Sequence, residues 1–85
     1  MIVWATIVVE QLHGHWSAWF KNEPEIGFGG EWPSQAIERL LDARDRELYN
    51  TNEVYTIEDQ ARDGHLEFRI RVVGGDDEFP RPSMN

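Results

Sequence analysis

The chain has 85 residues, 40% of them hydrophobic, with sixteen Asp and Glu against eight Lys and Arg, a net charge of -8, and no cysteine. That is the size and composition of one ordinary globular domain; disulfides and thiolate metal sites are excluded, and no apolar run approaches the roughly 20 residues that cross a bilayer. The acid excess argues against binding nucleic acid through its phosphates and favours a basic protein partner, although such a charge also serves solubility alone.

A chain this short buries roughly 60–65% of its unfolded surface, so its core is marginal unless a partner or second copy covers more. Met1-Ile2-Val3 enters a strand pattern at once, with no basic leader before it, and a cytoplasmic location is expected. Residues 3–11 alternate, with Val3, Ala5, Ile7 and Val9 on one side and Trp4, Thr6, Val8 and Glu10 on the other. Leu12-His13-Gly14-His15 is a short turn, with Gly14 free to take positive φ. Trp16, Ala18 and Phe20 then alternate with Ser17, Trp19 and Lys21 in a second, antiparallel strand that breaks at Asn22–Pro24. Ile26 to Gly29 reads as a short third strand at a sheet edge.

Pro33 suits the first position of a helix, where its missing N–H costs nothing. Ala36, Ile37, Leu40, Leu41 and Leu48 share one face of that helix, Glu38, Arg39, Asp42, Asp45 and Arg46 lie largely on the other, and Asn50-Thr51-Asn52 ends it. Residues 54–64 allow two readings. Asp63-Gly64 fits a type I′ hairpin turn joining 55–62 to the next strand, and Thr56-x-x-Asp59 with Gly64 fits a short helix; the hairpin is preferred. Leu66, Phe68, Ile70 and Val72 alternate with Glu67, Arg69 and Arg71 as the final strand. The domain is expected to span 1–73, followed by a mobile acidic, Pro-rich tail at 74–85. The expected fold is α+β, β-β-β-α-β, with one helix packed on one face of an antiparallel sheet and a possible extra hairpin strand near the C-terminus.

Gly27, Gly29 and Gly30 precede the helix, but no Walker lysine or dinucleotide fingerprint accompanies them, so they read as a tight turn and not a phosphate cradle. His13 and His15, with Glu10 or His65 as a third ligand, are weak candidates for zinc or nickel, because their spacing is not a specific one. Ser17, Ser34 and Ser83 lie in no nucleophile motif, and Glu23 and Glu25 read as solvated surface, so an enzyme is not expected. No cofactor is expected either. Four tryptophans are many for this length. A single helix covers one side of the sheet, so Trp4 and Trp19 on the other side, together with Phe28, are the expected subunit or partner interface.

Roughly the first half of the chain resembles the HicB-like family, the antitoxin half of HicBA toxin–antitoxin systems. The likeness rests on Glu10 at the end of the first strand, Trp16 opening the second, Phe20 to Ile26 (FKNEPEI) as the proline segment, and Gly30-Glu31-Trp32 before a helix carrying Ala36. The chain departs from the family pattern at Lys21, Glu25 and Trp32. The resemblance implies a self-associating domain that, in antitoxins, covers a small basic RNA-cleaving toxin. The DNA-binding segment such antitoxins append is not legible in this sequence, so operator binding is not expected. The expected role is therefore an acidic, homodimeric, antitoxin-like module that sequesters a basic protein. The alternatives are a stand-alone homodimeric domain of unknown function with no toxin partner, and a small-molecule or metal-binding protein.

Overall fold

The computed structural model describes residues 2–73; the proposed tail, 74–85, lies outside the described residues. Five strands form one antiparallel sheet in the order β3-β2-β1-β5-β4, with a single α-helix on one face. The strands are β1 (Val3–Leu12), β2 (His15–Phe20), β3 (Phe28–Gly30), β4 (Tyr49–Thr56) and β5 (His65–Val72); the helix α1 (Pro33–Ala43) follows β3. It is an α+β fold, and its extra strand beyond the β-β-β-α-β core is β4. Among the described residues no helix is long and apolar enough to cross a membrane.

The first hairpin follows from its alternation and its turn. Leu12 pairs with His15 across a two-residue loop in which His13 and Gly14 both have positive φ, 55° and 82°. That is the type I′ geometry, whose twist matches the flanking strands. Glycine takes this conformation freely, but His13 carries a Cβ into it at a cost. His13→Asn is therefore expected to stabilise the domain by about 0.5 kcal/mol, read as a higher midpoint in urea; an unchanged or lower midpoint would count against the strain.

The period-2 pattern places Ile7 and Val9 of β1, Ala18 and Phe20 of β2 and Ile70 of β5 in one cluster with Ala36, Ile37, Leu40 and Leu41 of α1. Trp16, Phe28, Tyr49, Leu66 and Phe68 pack against it, and Phe20 stacks on Tyr49 with ring centroids 5.2 Å apart. α1 lies over β3, β2 and the near side of β1. Pro33 opens it as expected, while the preceding Trp32 makes no side-chain cap.

The helix ends earlier than its apolar spacing implies. It stops at Ala43, the Arg44 N–H donates to the Leu41 carbonyl, and Asp45 turns left-handed at φ 55°. Leu48 thus belongs to a 3₁₀ turn at Arg46–Leu48 and not to the α1 face. Asn50-Thr51-Asn52, read as a helix stop, is instead a bulge within β4, where pairing with β5 shifts between Asn50 and Val54. Local bonds cause it: the Asn52 N–H donates to Asn50 Oδ1 (2.9 Å), and Asn50 Nδ2 donates to Glu53 (2.8 Å). Short polar side chains compete here with the strand ladder. Both readings of 54–64 are partly met, because β4 pairs with β5 as far as Thr56 and Glu58–Gln60 then forms a 3₁₀ turn. The Asp63–Gly64 turn is closed by reciprocal Arg62–His65 backbone bonds, but only Gly64 has positive φ, so it is not type I′.

Candidate functional site

Antiparallel register places side chains in rows across the helix-free face. One row runs Trp19, Val8, Glu67; the next towards the sheet's far end holds Lys21, Thr6, Arg69 and Tyr55; beyond it lie Trp4 and Arg71. On the other side of the Trp19 row are Ser17, Glu10 and His65. No element covers this face among the described residues. Its own long side chains shield its centre, leaving Val8 only 5% exposed although it lies outside the helix-side cluster.

Trp4 and Trp19 share this face as expected, but four residues along a strand separate Trp4 from Val8, about 13 Å. Trp4 instead meets Tyr55 edge-to-face at 5.8 Å, and the Arg69 guanidinium lies 4.6 Å from the Trp4 ring centroid and 5.7 Å from that of Tyr55. Such stacking fixes the two rings as a rigid aromatic corner. Phe28 does not join them. It is half-buried against the helix-side cluster, because it pairs with Ala18 and points the same way.

The centre of the face holds a charged network. Glu67 is buried and accepts from Lys21 Nζ (3.1 Å), while the two ring nitrogens of the buried His65 lie 2.7 Å from Glu10 and 2.9 Å from Glu67. The His65 hydrogen bond, helped by Lys21 and opposed by burial, holds the Glu67 carboxyl below the usual carboxylate range. The sequence shows Glu67 only as alternating with the apolar residues of the last strand, and His65 only as a possible third metal ligand. The pairing of Glu10 with His65 across β1 and β5 carries the signal, and it is visible only once the register is known.

His13 and His15 are exposed at the turn, and no group of three metal-type ligands occurs among the described residues. The glycines before α1 have a packing explanation. A Cβ on Gly30 would stand 2.6 Å from the Ala36 backbone nitrogen, so helix and strand meet there without room for a side chain.

The helix side holds a second feature. α1 leaves β5 and β4 uncovered, and an apolar groove of about 510 Å³ runs between them, walled by Ile37 and Leu41 and floored by Val54, Leu66 and Phe68. Charge is distributed unequally around the molecule. Lys21, Arg69 and Arg71 balance Glu10, Glu53 and Glu67 on the helix-free face, whereas Glu25, Glu31, Glu47, Glu58, Asp59 and Asp63, all in turns and connections, are exposed and form no ion pair among the described residues.

Compared with known proteins, the chain matches no protein-family model, no curated protein and no solved structure.

Proposed function

We propose that this chain is a small acidic protein-interaction module that associates with itself through the helix-free face and holds a basic protein partner on its acidic side. The separation of charge supports this reading most. The helix-free face is aromatic and close to neutral, so two copies can meet there without the repulsion a charge of -8 would otherwise impose. The unpaired carboxylates lie in the turns and connections and would steer a cation-rich protein towards them. The resemblance of the first half of the chain to HicB-like antitoxins gives the specific form of the proposal: a HicB-like domain, cytoplasmic, whose partner is a small basic toxin held inactive.

Light scattering after size exclusion tests the first half. The expected mass is that of a dimer, and Trp19→Ala is expected to weaken association by about 2 kcal/mol, roughly 30-fold, as for a central aromatic anchor. A monomer at high concentration, or a variant that dimerises unchanged, would remove the interface. Capture from native lysate tests the second half: one basic protein, identified by mass spectrometry and released by salt, is expected. Retention of none at low salt would leave a self-associating domain without that partner.

A further inference from the structure

We infer that the groove between α1 and the β5–β4 half of the sheet is a docking site for a basic amphipathic helix of a partner protein; this rests on the basic-partner reading above. Dimensions come first. Five strands span about 19 Å, and one helix with its side chains covers about 10 Å of that width. α1 occupies the β3-β2-β1 side, so the uncovered strip beside it is one helix wide. The groove is apolar along Ile37, Leu41, Val54, Leu66 and Phe68. Its wall from Pro33 to Leu41 runs about 12 Å, two helical turns, which matches apolar anchors at i, i+3 or i+4, and i+7.

Charge selects among the occupants. Glu38 lies on the α1 wall, and the exposed Glu58 and Asp59 lie in the turn between β4 and β5. Arg46 bonds Asp42 and Glu38, and Arg44 bonds Glu23, so the open carboxylates of this half of the molecule are those of Glu58 and Asp59, against Arg62 of the same connection, which makes no ion pair among the described residues. A second copy carries the same net charge of -8, and residues 74–85 hold Asp76, Asp77 and Glu78 against Arg81. Both would bring like charge to the groove; a Lys- or Arg-flanked helix brings the opposite one.

The test uses the full chain and a fluorescent peptide of roughly 14 residues, with Leu at helical spacing and Lys elsewhere, against a scrambled peptide of the same composition. The patterned peptide is expected to bind about tenfold more tightly than the scrambled one, with amide shifts at Ile37, Leu41, Val54, Leu66 and Phe68. Thr51→Lys, at an exposed position lining the groove, is expected to weaken it about tenfold while leaving the far-ultraviolet dichroism unchanged, and Val54→Lys to do the same. Equal binding of both peptides, or shifts confined to the Trp4 and Trp19 face, would overturn the groove and leave the basic-partner reading standing. Failure of both peptides to bind at low salt would overturn both. Dissociation of the dimer by Thr51→Lys alone would give the groove to a second copy, and tighter peptide binding in Phe79→Ser would give it to the chain's own end; either result overturns the proposal.

Discussion

Gly30→Ala is expected to destabilise the domain by about 3 kcal/mol, the upper range for forcing a methyl group into a packed site. The added Cβ would stand 2.6 Å from the Ala36 nitrogen, 3.0 Å from the Gln35 carbonyl carbon and 3.1 Å from the Ala36 Cα. All three are backbone atoms of α1, so no rotamer change relieves the contact. The helix must lift from β3, and Ala36, Ile37 and Leu40 lose packing with it. For a domain of this size the thermal midpoint should fall by roughly 12 °C or more. Gly29→Ala provides the control, because its Cβ would meet only the Trp16 carbonyl oxygen, at 3.6 Å, an ordinary contact. Its effect should stay within about 0.5 kcal/mol. Equal effects from the two substitutions in thermal melts would refute the close approach of helix to strand and reopen a shared role for the glycines.

Sheet faces could be read from the sequence because burial follows a period of two wherever one side is covered. Ile7, Val9, Ala18 and Ile70 occupy the core, and Trp16 and Phe20 lie on the same side, as their alternation implies. Pro33 marked the helix start for an equally local reason. The helix end was hidden because Asp45, not a glycine, takes the left-handed turn, and because Leu48 by chance continues the apolar spacing. The hairpin reading reached only the end of β4, at Tyr55 and Thr56; its start was hidden because YNTNEVYT is an edge strand interrupted by asparagine side chains, and pairing with β5, not its own pattern, makes it a strand. Both candidate surfaces also depend on long-range placement. The charged network needs Glu10 beside His65 and Glu67 beside Val8, and the groove needs α1 to sit to one side of the sheet. Periodicity established that a helix packs on the sheet but carried no information about which strands it covers.

His65→Ala is expected to cost about 3 kcal/mol, because it leaves the buried Glu67 carboxylate with Lys21 alone. The loss is mainly that of stranding a buried charge, so removing the charge as well should recover part of it. The double variant His65→Leu/Glu67→Met, apolar and similar in bulk, is therefore expected to be more stable than His65→Ala in urea. The same pairing sets a pH dependence. Glu67 titrates below its unfolded value, ordinarily about 4.3. Its contribution is therefore complete above that value and is lost as pH falls through the lower, folded one. Between about pH 5 and 3, unfolding free energy should fall more steeply in the wild-type protein than in Glu67→Gln, which has no carboxyl to protonate at this position. Parallel curves would mean that Glu67 gains nothing from His65 and Lys21. The centre of the helix-free face would then be held by Val8 and Trp19 packing alone.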